Sequence, residues 1–344
     1  YGGTTVMRFE KSKGYSGANL SYNYWNNPVD DQGAGSFNLY PLTYGISGAY
    51  GDGALFVSTR SSSGSYYQLW QLNNTTDVLS GYQVSSYSYA IGSDITQKGS
   101  VNLLDAGDCR VKGGFYLYDN STTTGWLHFT YTSTFSGSGL RNGAVRAWIK
   151  WDNNGMTSDG VAFGASSGDY AHPSLASFAS NGGDMNVLLC ATYASSTFYP
   201  TTAVASCDAN KQFSGSLALK LGSSYINDYD NNKNVSRWGD YTGLARKYNS
   251  SAPAIWAGGS YGRTDHTAGT WITEITPQGQ AVAENQNIGD DLMIYPNPSN
   301  TDITATFTLV EASHVVCEIY DMNGKLVATL FEDILPEGEK RIRF

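Results

Sequence analysis

The chain has 344 residues, with 39 Gly, 25 Tyr, 13% aromatic and only 15% charged residues, a composition that fits short strands and tight turns better than helices. A formal net charge of -9, with 21 basic residues spread thinly, supplies no electrostatic footprint for a phosphate backbone or an anionic lipid surface, which argues against nucleic acid as a partner. No run approaches the roughly 20 consecutive apolar residues of a membrane helix, so no membrane-spanning segment is expected; the longest candidate, Met185 to Tyr193 (MNVLLCATY), has the length of a strand.

Residues 1–275 read as repeated strand and turn, with almost no helix expected because no stretch of ten or more residues carries helical spacing with caps at both ends. In GALFVSTRSSSGSYYQLWQL (Gly53 to Leu72), two alternating apolar runs flank a Ser and Gly turn. The pattern recurs in GFYLYDNSTTTGWLHFTYT (Gly114 to Thr132) and, with a longer loop expected, in GAVRAWIKWDNNGMTSDGVAFG (Gly143 to Gly164). Similar units of weak identity point to propeller blades or a sandwich, and 275 residues leave room for about five blades. Trp148 and Trp256 are expected in the core. Cys190 and Cys207 have two readings, a bridge between neighbouring strands or buried free thiols.

Singly scattered histidines, with no His-Glu-x-x-His pair and no Gly-x-Ser-x-Gly elbow, offer little for catalysis. His128, alternating with apolar neighbours, reads as a hydrogen-bonded strand histidine, and His172, before Pro173, as a loop residue. A glycosidase needs two carboxylates across a cleft, for which Asp152, Asp159, Asp184, Asp228 and Asp240 are available. A sialidase needs an arginine cluster, for which Arg60, Arg110, Arg146, Arg237 and Arg263 are available. In DYDNNKN, Asp228, Asp230, Asn232 and Asn234 alternate oxygen side chains as a calcium loop would, because a hard cation takes six to eight oxygens from a compact turn. Lys233 stands where such loops carry glycine, and the alternative is a polar loop of side-chain turns. Calcium is the one cofactor under consideration.

The stretch Thr276 to Asp290 (TPQGQAVAENQNIGD) turns polar and low in aromatics, as a linker does. Beyond it, residues 291–344 hold at least four strands, with Val315, Cys317 and Ile319 alternating toward one face and Asp321 to Gly324 (DMNG) supplying an Asn-Gly hairpin turn. A small Ig-like antiparallel sandwich is expected. At its entry, Pro296 and Pro298 around Asn297 fix φ at two positions and hold the entering chain extended.

Tyr295, Pro296, Asn297 and Pro298 at the entry, VVCEIYDMNGKLV (Val315 to Val327, with Tyr320, Asp321, Asn323, Gly324 and Lys325) and the closing PEGEKRIRF together resemble the type A C-terminal sorting domain of the type IX secretion system. That resemblance implies export across the outer membrane of a Gram-negative bacterium, with outer-membrane barrel components of the system as partners of the tail. It also implies further strands after Phe344, so the tail is expected to be cut short. SRWGDYTGLARKYNSSAPAIWAGGSYGRTDHTAGTWITEI (Ser236 to Ile275) resembles the last blade of secreted, sialidase-like β-propellers, carried by Arg237 to Tyr241, the strand around Ile255 and Trp256, and TWITEI. The whole is then an all-β chain, a β-propeller-like passenger before a small sandwich, with earlier blades expected upstream of Tyr1. Two functions compete: a non-enzymatic surface passenger that binds glycan or protein in adhesion or surface assembly, and a secreted glycan-directed hydrolase.

Overall fold

A computed structural model describes residues 3–44, 53–134, 141–227, 234–238, 240–247, 253–277, 293–295, 302–309, 312–320 and 326–343. It divides into two compact units, Tyr1–Gly279 and Gln280–Phe344, and residues 278–290 of the expected linker fall outside the described ones. The chain is all-β. Among the described residues the one α-helix is Lys11–Ser16, closed by Gly17 at φ 70, and no helix is long and apolar enough to cross a membrane.

In the first unit, beside two two-stranded pairs, four larger sheets follow one another along the chain, antiparallel except where Thr43–Tyr44 runs parallel to Gly113–Asp119. The first runs Tyr40–Pro41, Gly53–Ser58, Ser63–Asn73, Leu79–Ala90; the second has Thr43–Tyr44 beside Gly113–Asp119, Thr124–Thr134, Asn142–Asp152, Gly155–Phe163. The third runs Asp169–Ala176, Val187–Ser195, Phe198–Cys207, Leu217–Lys220, and the fourth Gly243–Arg246, Ile255–Gly262, Ala268–Ile275. The three sequence-read hairpins are present, but the third is tighter than expected. Asp152 pairs with Gly155 and only two residues intervene; Gly155 takes φ 110, and Asp152 Oδ1 accepts the Asn154 amide at 2.8 Å.

The period of two along each strand decides which sheets touch. In Thr124–Thr134, the odd residues Leu127, Phe129 and Tyr131 face the first sheet and join Val57, Tyr67, Leu69 and Val84 in one core. On the opposite face of the second sheet, Phe115, Leu117 and Ala144 pack with Tyr170, Leu175, Leu189 and Ala203 of the third. The second sheet is therefore buried on both sides, and each large apolar side chain it buries contributes about 1.5–3 kcal/mol. The third sheet meets the fourth at Thr202, whose Oγ1 donates to the Ser260 carbonyl at 2.7 Å.

Among the described residues, Tyr67, Tyr89, Tyr131 and Tyr170 are the buried tyrosines. Tyr67, Tyr89, Phe129 and Tyr131 form one aromatic cluster, with the Tyr67 and Tyr131 hydroxyls 2.8 Å apart. Trp148 is buried at 8% exposure, as expected, whereas Trp256 is 43% exposed. It lies on the face of the fourth sheet turned away from the third, opposite to Ile255 and Ala257, which are buried. Cys190 and Cys207 occupy neighbouring strands but are free and buried; Cys190 pairs with Val204 and Cys207 with Val187, a register that separates the two thiols along the ladder.

The second unit is a small two-sheet sandwich. Met293–Tyr295, Thr304–Leu309 and Gly338–Arg343 make one sheet, and Ser313–Tyr320 pairs with Leu326–Leu335 in the other. Phe307, Leu309 and Ile342 from the first pack with Val315, Phe331 and Leu335 from the second. Of the alternating residues read from sequence, Val315 is buried, but Ile319 is 40% exposed. Register shifts after Cys317 and after Ile319 break the alternation between them.

Candidate functional site

The leading edges of all four sheets converge on one cleft of about 170 Å³. Tyr40 comes from the first sheet, Thr43, Tyr44 and Gly113 to Phe115 from the second, Ser174 to Ala176 from the third, and Gly243 to Arg246 from the fourth. Gly113 and Gly114 permit the approach. A Cβ on Gly114 would lie 2.7 Å from the His128 carbonyl oxygen and 2.6 Å from the Leu42 side chain, and one on Gly113 would lie 3.0 Å from the Leu175 backbone nitrogen.

The walls are largely apolar, with Leu117, Leu175, Ala176 and Leu244 among them, and the charged lining residues are Lys112 and Arg246. Lys112 is 7% exposed; its Nζ donates to the Asp240 carbonyl at 2.9 Å and stands 4.9 Å from the centre of the Tyr241 ring. Burial pulls its pKa down to about 8 against the pull of Asp108 and Asp105. Asp108 is committed elsewhere, gripping Arg110 through both carboxylate oxygens at 2.6 to 2.9 Å. Thr242 closes the floor: its Oγ1 contacts the His172 carbonyl, Ser174 Oγ and the Cys190 carbonyl at 2.7, 3.0 and 3.2 Å.

The expected catalytic sets do not assemble at this cleft. Among the described residues no carboxylate lines it. Asp152 pairs with Lys150, Asp159 with Lys211 and Asp240 with Arg237, while Asp184 accepts from Asn186, and Asp228 lies outside the described residues. The five arginines disperse as well. Arg110, Arg237 and Arg263 each bind an aspartate two or three residues away, and Arg60 donates to the Gly35 carbonyl. Arg146 is fully buried between the second and third sheets, donating to the Asp208 carbonyl at 2.7 Å and to the Met185 carbonyl, and lying over the Trp148 ring.

Both body histidines singled out in the sequence differ from expectation. His128 is a strand residue, fully buried and stacked on Phe115 at 4.8 Å, but neither ring nitrogen has a hydrogen-bond partner, and burial lowers its pKa to about 3. His172 belongs to the strand Asp169–Ala176 rather than to a loop; Pro173 disrupts pairing there, and His172 takes φ 51 at the resulting irregularity. Its Nε2 donates to the Asp105 carbonyl at 2.9 Å, and burial lowers its pKa to about 4. Sequence reading passed over a third histidine contact. His266 Nδ1 is 2.8 Å from Ser224 Oγ, and the His266 ring stacks on Tyr225 at 4.0 Å. Ser224 is 7% exposed and Asp265 is engaged by Thr267, so the pair ties the turn at 263–267 to the preceding loop.

Of the calcium-loop residues, Asp228, Asp230 and Asn232 lie outside the described residues. The Asn234 carbonyl accepts the Leu103 amide at 2.7 Å, starting a short parallel pair of Leu103–Leu104 with Val235–Ser236. Among the described residues no group of three or more His, Cys, Asp or Glu side chains is placed to hold a metal ion. In the tail, Tyr295 ends the strand Met293–Tyr295 and Tyr320 ends Ser313–Tyr320, whereas Pro296, Asn297, Pro298, Asp321, Asn323, Gly324 and Lys325 lie outside the described residues.

No curated protein matches the chain. Among solved structures it is similar to a crystal structure of a mutant levansucrase from B. subtilis, at 8% identity and a TM-score of 0.31 over 87% of each chain, a likeness too low to carry an argument. Residues 293–341 match the family described as "Secretion system C-terminal sorting domain". The tail therefore marks this chain as cargo of the type IX secretion system, exported across the outer membrane to the cell surface or the extracellular space.

Proposed function

We propose that the exported body is a non-enzymatic binding module, a propeller-like array that presents its central cleft to a glycan or surface-protein ligand in adhesion or surface assembly. One observation carries the reading: the leading strands of four successive sheets meet at one cleft that, among the described residues, has two cationic side chains and no carboxylate in its lining. Convergence of leading strands on a shared centre is how propeller blades are arranged. A hydrolase of glycosidic bonds needs two carboxylates about 5 to 10 Å apart, and this cleft has no lining residue to serve as either.

The test is to incubate the purified full-length chain with arrayed bacterial and host polysaccharides and to follow both retention and release of reducing ends. Saturable retention without product is expected. Steady product release that disappears on replacing one of Asp152, Asp159, Asp184, Asp228 or Asp240 would overturn the binding reading in favour of the hydrolase.

A further inference from the structure

Among the described residues Lys112 is a buried ammonium, over the Tyr241 ring, with no carboxylate in ion-pair contact. Among the described residues its one hydrogen bond goes to the Asp240 backbone carbonyl, so two of its three N–H donors are unused. Of the acids that pull on it, Asp108 is held by Arg110, and Asp105, whose Oδ1 accepts the Gly107 amide, makes no ion pair with Lys112; the Asp240 carboxylate is held by Arg237. His172 is neutral at physiological pH, with its pKa lowered by burial, and offers no negative charge. Buried charges are normally paired, because an unpaired one forfeits hydration without compensation. Lys112 departs from that rule and is one of the residues that line the cleft.

We propose that the cleft binds a small organic carboxylate, whose oxygens accept the unused N–H donors of Lys112 while its carbon skeleton lies against Leu117, Leu175 and Leu244. The inference rests on the cleft being the binding site of the body, and it names the ligand's chemistry. Three features select a monoanion with an apolar or sugar-sized body. The volume of about 170 Å³ falls below the roughly 300–1,000 Å³ of drug-sized pockets. Apolar walls make a doubly charged group costly to desolvate. Finally, Arg246 already directs a guanidinium N–H to the Ala179 carbonyl, whereas tight phosphate sites commonly present a guanidinium fork for bidentate contact.

The full-length chain is titrated calorimetrically, at fixed ionic strength, with butyrate and glucuronate, with their uncharged counterparts butanol and glucose, and with inorganic phosphate. At least one carboxylate is expected to bind ten-fold or more tightly than its uncharged counterpart and than phosphate. Lys112→Met should erase that preference, and Lys112→Arg, which keeps the charge, should retain most of it. Preference for butyrate identifies a short free acid; preference for glucuronate identifies an acidic sugar. Equal binding of charged and uncharged probes, equal binding of phosphate, or a preference that survives Lys112→Met overturns the carboxylate proposal but leaves the cleft as a binding site. If no probe binds while the polysaccharide assay shows retention, the carboxylate proposal alone fails; if neither gives binding, both readings fall.

Discussion

At the scale of single residues, the histidines set the acid response. His128 and His172 have pKa values near 3 and 4 in the fold against an ordinary value of 6.5, so the unfolded chain binds more protons than the native one throughout the interval between. The stability they confer is complete above about pH 6.5 and is lost as pH falls toward 4, at about 1.4 kcal/mol per pH unit for each histidine. Replacing His128→Phe keeps an aromatic ring against Phe115 and removes one of the two titrations. Urea midpoints measured at pH 6.5, 5.5 and 4.5 should therefore fall less steeply for the variant; an unchanged slope would mean that His128 is protonated in the fold. The strand placement of His128 was legible in its apolar alternation. Its missing hydrogen-bond partners were not, because they depend on the third sheet packing over it from about 40 residues or more downstream.

At the scale of elements, the period of two was sufficient to recover hairpins and insufficient to say which face meets which neighbour. GWLHFTYT alternates perfectly well as a half-buried strand, yet it is buried on both faces, since sheets one and three cover it from opposite sides. Trp256 illustrates the converse: its strand is central in the fourth sheet, but its own face has no described sheet against it. Arg146 is the polar counterpart. Nothing in GAVRAWIK distinguishes an inward arginine from an outward one, and its burial is made tolerable by the carbonyls of Met185 and Asp208 and the Cys207 sulfur, brought by the third sheet, and by the Trp148 ring. Arg146→Met keeps the bulk but strands those acceptors, each at about 1–3 kcal/mol. Thermal unfolding should show a destabilised body, with a loss of about 2–5 kcal/mol. A change under 0.5 kcal/mol would mean that the two carbonyls find water instead.

At the scale of the whole molecule, the two units follow different logics. The tail is a compact signal whose recognisable residues cluster at its entry and around its hairpin turn, so export should depend on them separately from the fold of the body. Pro296→Ala combined with Asn297→Ala in the full chain, expressed in a bacterium with a working type IX system, should leave the protein folded but retained inside the outer membrane. Surface proteolysis and fractionation check this; normal surface display would show that the entry motif is dispensable.

What the sequence determined by itself was local or written in short contiguous signals: all-β character from composition, strand positions from alternation, and the export route from a motif within about 50 residues. Such features need no knowledge of distant partners, because φ preferences and side-chain period act within a few residues of each other. The cleft, the unpaired Lys112 and the burial of His128 and Arg146 were decided only by tertiary structure. Lys112, Tyr40, Ser174 and Arg246 span some 200 residues of chain and share no spacing that a sequence could display. They meet because four sheets bring their leading edges to one place, and Asp108, the acid that pulls hardest on Lys112, is itself held by Arg110.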